Sequence, residues 1–236
     1  ENHPLIFAGG PVVSANPEPY KEFFDFFIIG DGEDINLDAV RICKNNPDKE
    51  TALKLLSEIE GIYVPKYNNG KVKKLTKRLT ECIYTPILSE DAFFKGTFIM
   101  EMSRGCANRC GFCLASYLNL PLRSVPYDEL IKTINLGLSY TDNIALLGAQ
   151  ISAHPRFHDV CKYIYDKIQS GEDIKMSVSS LRVDAMTEDV VKTLTAAGQK
   201  NSTLAIEAGS DRLRKVINKN LSEEQIFNAV QIARAN

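Results

Sequence analysis

The chain has 236 residues, of which 44% are hydrophobic and 25% charged, so it can bury one large core or two small ones. The net charge of −2 gives no indication of a nucleic-acid partner or an anionic membrane surface, and no apolar run approaches the length of a membrane span. The first residue is Glu1 rather than methionine, which suggests a piece of a longer protein or a processed product.

Two short apolar runs closed by glycines open the chain and predict buried parallel strands. They read "PLIFA" before "GG" and "DFFII" before "GDGED". Farther along, "GIYVP" and "KYNNGKV" predict a hairpin with Asn69 and Gly70 at its turn. We therefore predict that residues 1–94 form part of an α/β domain followed by a linker and hairpin.

A regular alternation of strands and helices begins at residue 97. The candidate strands span residues 97–101, 143–147, 175–181 and 203–207, and a helical pattern follows each of them. Capping residues mark helix starts and glycines mark helix ends: Thr187, Ser210, and Ser222 with Gln225, then Gly171 and Gly198. Consecutive βα units predict a parallel sheet with right-handed crossovers, either doubly wound or part of a barrel.

Three of the six cysteines, Cys106, Cys110 and Cys113, lie in "CANRCGFC" with the spacing C-x3-C-x2-C. The motif follows the first strand of the regular region, and functional groups of βα folds collect in such loops. Three thiolates facing one point could hold a [4Fe–4S] cluster and leave one iron open to a small molecule. Arg104 and Arg109 are expected to offset the negative charge of the cluster.

Zinc is the alternative metal, with His154 or His158 of "SAHPRFHD" as a fourth ligand. A disulfide framework is not expected in a chain of this length, so the cysteines indicate a reducing compartment and a cytoplasmic protein. The remaining thiols are interpreted as structural, with Cys161 on the apolar face of a helix. They are Cys43, Cys82 and Cys161.

The cysteine motif, with Phe112 before its last cysteine, resembles the signature of radical S-adenosylmethionine (radical SAM) enzymes. The stretch 179–219, which includes "IEAGSDRLRKVINK", is similar to the middle of the same barrel. Residues 95–236 thus resemble a radical SAM core, a TIM-barrel-like (βα) barrel truncated after about four of its usual six units. Residues 1–94 resemble the end of a cobalamin-binding-like domain, which is Rossmann-like or flavodoxin-like, through "PLIFAGGPVVSANPEP" and "DFFIIGDGED".

The resemblance implies an iron–sulfur oxidoreductase that uses a [4Fe–4S] cluster and S-adenosylmethionine. Reductive cleavage of S-adenosylmethionine would give a 5′-deoxyadenosyl radical that acts on an unknown substrate, with flavodoxin or ferredoxin as electron donor. The implied cluster ligands are the three cysteines of the motif. The implied S-adenosylmethionine contacts are Phe112 along the adenine, Gly148 and Gln150 near the methionine amine, Ser179 and Glu207 near the ribose or methionine end, and Arg182 or Arg214 at the carboxylate.

Two features depart from the family pattern. Residues 147–150 read "LGAQ" where the family has Gly-Gly-Glu-Pro, so a backbone contact survives but a carboxylate contact does not. The segment D-x-H-x-x-G, which would place a histidine on cobalt, is absent, so cobalamin is possible but unsupported in these 236 residues. Two other classes stay open, which are a binding module stabilised by zinc or a structural cluster, and a simple electron carrier.

Overall fold

The computed structural model describes residues 3–68, 71–179 and 181–236, and it divides into two compact units, Glu1–Arg78 and Leu79–Asn236. This division falls before the boundary between residues 94 and 95 that the sequence predicts. The reason is that the linker belongs to the second unit, where Tyr84 forms an antiparallel bridge with Met100 and Cys82 packs in the core. No helix in the described ranges is long and apolar enough to cross a membrane.

The first unit contains a three-stranded sheet of order β1-β2-β3. Strands β1 (Phe7–Ala8) and β2 (Phe26–Ile28) are parallel, as the glycine-closed runs predict, and β3 (Ile62–Tyr63) pairs antiparallel with β2. Phe7 stays 43% exposed, so only β2 and β3 are buried strands. The helices of this unit are α1 (Pro11–Ala15), α2 (Ile35–Asn45) and α3 (Lys49–Ser57).

The predicted hairpin turn at Asn69 and Gly70 lies outside the described residues. Before the turn, β3 pairs with β2. After it, Leu75 forms a parallel bridge with Gly30, and its amide donates to Ile29 O at 3.0 Å. The two flanks of the turn are therefore each paired to the β2 region of the sheet.

The second unit is built on a parallel sheet of order β4-β7-β8. Strands β5 and β6, which come between β4 and β7 in the sequence, form a separate two-stranded antiparallel sheet. The strands are β4 (Phe98–Glu101), β5 (Ser103–Arg104), β6 (Arg123–Ser124), β7 (Asn143–Leu147) and β8 (Lys175–Val178). The helices are α4 (Ala115–Leu118), α5 (Tyr127–Leu138), α6 (Phe157–Gln169), α7 (Glu188–Ala196), α8 (Asp211–Val216) and α9 (Glu223–Ala235).

The predicted fourth strand, residues 203–207, is wrong as a full strand. Only one parallel bridge, between Leu181 and Leu204, continues the sheet beyond β8. Two local features end the extended backbone: Ile206 N donates to Leu204 O at 3.2 Å, and Glu207 adopts a left-handed φ of 70°. The second unit is thus a partial parallel barrel of three strands extended by one bridge.

Helix boundaries follow the capping signals of the sequence. The side chains of Thr187, Ser210 and Ser222 each accept a hydrogen bond from the first turn, and Ser222 with Gln225 forms a complete capping box. Helices α6 and α7 are followed by Gly171 and Gly198, whose φ angles are 101° and 81°. These caps fix where each strand-to-helix loop begins and ends.

Candidate metal centre and cofactor site

The cysteine loop, residues 105–113, follows β5 and begins at a position that only glycine can occupy. Gly105 has a φ of 90°, and a Cβ built there would lie 2.3 Å from Asn119 O and 2.9 Å from Pro121 O. Any larger side chain would combine a left-handed backbone with a backbone clash. The glycine before the first cysteine therefore allows the loop to pack against residues 119–121.

The three thiols of the loop differ in burial and contacts. Cys110 is buried, whereas Cys106 and Cys113 are half-buried, and all three are free of disulfides. Cys106 Sγ lies 3.2 Å from Gln150 Oε1 and 3.4 Å from Asn108 Nδ2. In the described ranges, no three His, Cys, Asp or Glu side chains already converge as ligands of a single metal ion.

Charged neighbours act on the buried thiol of this loop. Burial raises the pKa of Cys110, the cations of Lys219 and Arg182 lower it, and the Cys106 and Cys113 thiols raise it. Coulombic interactions weaken with distance, so these five groups share one neighbourhood. A set of sulfur donors opposed by two cations fits an anionic group bound through thiolates, which is the chemistry of an iron–sulfur cluster.

The cations that act on Cys110 are not the arginines that the sequence indicates. Arg104 forms a bidentate ion pair with Glu101, at 2.8 and 2.6 Å, and Arg109 is exposed. Lys219 instead lies buried, with its Nζ 3.3 Å from Glu207 Oε1. Sequence reasoning missed Lys219 because it follows the loop by about a hundred residues, and no spacing rule connects the two.

The histidines considered as zinc ligands are not positioned for that role. His154 is buried, its Nε2 lies 2.8 Å from Val125 O, and its Nδ1 accepts from Arg156 N at 3.0 Å. Burial lowers the pKa of His154. Since both ring nitrogens are engaged with the backbone, His154 has no free nitrogen for a metal, while His158 is exposed on α6.

Four of the predicted cofactor residues lie around the cysteine loop or next to one another. Gln150 contacts the Cys106 thiol, and Ser179 Oγ donates to Gly148 O at 3.5 Å. The Arg182 guanidinium donates to the Asp184 carboxylate. This hydrogen bond is the largest cause that raises the pKa of Arg182, and the sulfurs of Cys110 and Cys106 raise that pKa further. The ends of β7 and β8 therefore open toward the cysteine loop, as the parallel topology requires.

The remaining predicted residues are placed differently. Phe112 is 55% exposed on the loop, and Glu207 joins the site through its ion pair with Lys219. Arg214 is 1% exposed, and its Nε and Nη1 donate to Leu221 O at 2.7 Å and Ala208 O at 3.0 Å. The described hydrogen bonds of Arg214 hold the two ends of α8 in place, and Lys219 takes the ion-pairing position beside Glu207.

The fold and the site together define a partial parallel barrel with a cluster-type thiol loop at the carboxyl ends of its strands. Residues 100–236 match the Radical SAM superfamily, and residues 1–65 match the N-terminal domain of radical SAM proteins. The chain belongs to the radical SAM superfamily. Membership implies a [4Fe–4S] cluster and S-adenosylmethionine, the cofactors of the family.

Individual proteins are also similar in sequence to this chain. An uncharacterized protein of Methanocaldococcus jannaschii is 33% identical over 99% of this chain and 50% of its own length. A tRNA-2-methylthio-N(6)-dimethylallyladenosine synthase of Chlorobium phaeobacteroides is 23% identical over 58% of this chain and 32% of the relative. The chain thus spans half or less of the curated relatives that it matches.

A solved structure shares the fold along nearly the whole chain. OxsB, a cobalamin-dependent S-adenosylmethionine radical enzyme, superposes with a TM-score of 0.70 over 98% of this chain and 35% of its own, at 20% identity. At this identity the likeness establishes the fold alone. It covers both compact units, including the residues that precede the barrel.

Proposed function

We propose that this chain is the cofactor-binding part of a radical SAM enzyme in which Cys106, Cys110 and Cys113 hold the [4Fe–4S] cluster. The observation that carries the proposal is the set of three thiols opposed by Lys219 and Arg182. Three protein ligands leave one iron of a four-iron cluster free for S-adenosylmethionine. When bound, the cluster would supply the electron for reductive cleavage of S-adenosylmethionine to methionine and a 5′-deoxyadenosyl radical, which would act on an unidentified substrate.

The protein's own groups would bind and shield the cofactors. Lys219 and Arg182 would favour the thiolate of Cys110 against the effect of its burial. The backbone at Gly148, with the polar groups of Gln150 and Ser179, would face the methionine end of S-adenosylmethionine. Arg182 or Arg214 would pair with its carboxylate.

The exposed ring of Phe112 offers an apolar face for the adenine, and Glu207 would lie near the ribose or methionine end. A flavodoxin or ferredoxin of the cytoplasm would supply the electron. The substrate would bind at the strand ends beside the cofactors. We also propose that residues 95–236 form the radical SAM core and that residues 1–94 form the end of the preceding domain with its linker.

Cobalamin is a further candidate cofactor for the whole protein. Its support is the fold shared with OxsB, a cobalamin-dependent enzyme whose likeness extends over both units of this chain. Purification of the full-length protein with added hydroxocobalamin should give a red protein with bound cobalt. A full-length protein that retains no cobalt would remove cobalamin from the proposal while leaving the cluster untouched.

The cluster assignment is tested by metal analysis of single variants of the full-length protein. After anaerobic reconstitution the wild type should hold about four irons per chain and be brown. Cys106→Ala, Cys110→Ala and Cys113→Ala should each lose most of that iron, whereas the matched controls Cys43→Ala, Cys82→Ala and Cys161→Ala should keep it. Full iron content in the three loop variants contradicts the assignment, and a colourless protein with bound zinc favours a metal-stabilised binding module.

Turnover is tested on the same reconstituted protein. Reduction with dithionite in the presence of S-adenosylmethionine should release 5′-deoxyadenosine, and Cys110→Ala should abolish that release. An intact, reducible cluster without cleavage would favour the electron carrier or the structural cluster. Glu207→Gln should weaken S-adenosylmethionine binding with an unchanged visible spectrum, and unchanged affinity would reduce Glu207 to its ion pair with Lys219.

A further inference from the structure

Residues 217–220, which follow α8, hold the middle of the cysteine loop by three hydrogen bonds. Gly111 N donates to Ile217 O at 2.9 Å. The side-chain amide of Asn218 donates to Asn108 O at 2.8 Å and to Arg109 O at 3.1 Å. Together these bonds act on the stretch that joins Cys106 to Cys110 and on the residue that follows Cys110.

The backbone that receives these bonds is strained. Arg109 adopts a left-handed φ of 47°, which is strained for a residue with a Cβ and persists only where the surroundings impose it. Its carbonyl accepts from Asn218 and also from the Tyr117 hydroxyl, at 3.1 Å. The convergence of these donors on two adjacent carbonyls explains how the conformation of Arg109 is maintained.

The side chain of Asn218 is itself oriented. Asn220 Nδ2 donates to Asn218 Oδ1 at 2.8 Å, which leaves the Asn218 nitrogen directed at the loop. Both asparagines have left-handed φ angles, 57° and 47°, which asparagine tolerates better than most residues. The same short segment carries Lys219, one of the two cations that act on Cys110.

We propose that Asn218 is a positioning residue of the metal centre, which fixes the spacing of Cys106 and Cys110 by holding the carbonyls between them. The inference rests on the proposed function, since the loop must bind a cluster for that spacing to matter. Asn218 itself makes no contact with a thiol among its described hydrogen bonds. It acts through the backbone of the loop.

Two variants separate the amide from the backbone around it. Asn218→Gly keeps the left-handed conformation and deletes the donor, and Asn218→Asp keeps the size but turns oxygen toward both carbonyls. In the metal-free full-length protein, both should raise hydrogen exchange of residues 105–113 at least tenfold and speed alkylation of Cys106. The control is Asn135→Ala, which removes a hydrogen bond from the Tyr163 hydroxyl elsewhere in the same unit and should leave the loop unchanged.

A spectroscopic signature distinguishes positioning from general stabilisation. After reconstitution, both Asn218 variants should release iron to a chelator faster and broaden the electron paramagnetic resonance signal of the reduced cluster, with exchange in β4 and β7 unchanged. Accelerated exchange throughout the second unit would overturn the proposal in favour of a structural role. Wild-type exchange of residues 105–113 in both variants overturns it whatever the iron content. A wild-type protein that binds no iron instead overturns the proposed function, and with it the role of Asn218 at a metal centre, even where exchange of the loop is raised in both variants.

Discussion

The cysteine loop and the core around α6 each bury a cysteine thiol, but they place it in different electrostatic environments. Cys161 on α6 is 1% exposed, and burial raises the pKa of its thiol to about 12. Cys110 is also buried, yet Lys219 and Arg182 oppose the effect of its burial. The difference teaches that burial alone does not separate a structural thiol from a proposed ligand thiol, because a ligand must become a thiolate and a nearby cation favours that form.

The largest expected effect is on thiol reactivity in the metal-free protein. A thiol with a pKa of about 12 has about a thousandth of the thiolate of one at 9.0, and only thiolates alkylate. At pH 8, iodoacetamide followed by mass spectrometry should therefore label Cys161 about 1,000-fold more slowly in the folded protein than in the unfolded one, and more slowly than the half-buried Cys113. Equal labelling rates of Cys161 and Cys113 in the folded protein would contradict the difference between the core thiol and the loop thiols.

Next in size is the cost of a methyl group at two left-handed glycines. Gly105→Ala should destabilise the second unit by about 3 kcal/mol and reduce iron binding, because its Cβ meets Asn119 O at 2.3 Å. Gly171 has a φ of 101°, but a Cβ built there meets nothing within 4 Å. Gly171→Ala should therefore lower the free energy of unfolding by only about 1 kcal/mol. Urea denaturation measures the free energy of unfolding of both variants. Equal losses would show that the cysteine loop moves away from the added methyl group without an energetic cost.

A smaller effect is expected from Cys161→Ala. The thiol packs among Phe157, Val160 and Ile164 on the buried face of α6, so its removal should lower the free energy of unfolding by about 1–2 kcal/mol. Iron binding should not change. Cys43→Ala, at a half-buried position of α2, should cost less, and a loss of iron from either variant would contradict the assignment of these thiols to packing.

The smallest effect is a pH dependence from His154, whose charged form the core disfavours. Because burial lowers its pKa below 6.5, the unfolded chain binds more protons below that pH, so stability should fall as pH falls from about 6.5. The loss should appear as a urea midpoint that falls progressively between pH 6.5 and pH 5.5. His154→Gln should flatten this slope and the exposed His158→Gln should keep it; an identical slope in all three proteins would argue against the prediction.

Local signals in the sequence predict most of the second unit. The strands at 97–101 and 143–147 and the caps at Thr187, Ser210 and Ser222 agree with the structure because each depends on a few adjacent residues. Residues 203–207 look like a strand from their apolar alternation. That pattern carries no information about the left-handed turn at Glu207.

The candidate site is less accessible to sequence reasoning than the fold. The cysteine motif is visible because its spacing is local, and the residues at the strand ends follow from topology. The groups that hold and charge the loop, Asn218 and Lys219, reach it across about a hundred residues of chain, where no periodicity or spacing relates them to the thiols. Only the folded backbone brings residues 217–220 against the loop.

The contact between Asn218 and Asn108 joins residues 110 positions apart, and this separation has a consequence for biosynthesis. A ribosome adds about 5–20 residues per second, so the thiols are made roughly 5 to 22 s before the residue that holds their loop. Nascent chains stalled before residue 217 should expose these thiols to alkylation more than released chains do. A cluster held by the proposed ligands would therefore find its loop in the folded arrangement only after residues 217–220 have been made.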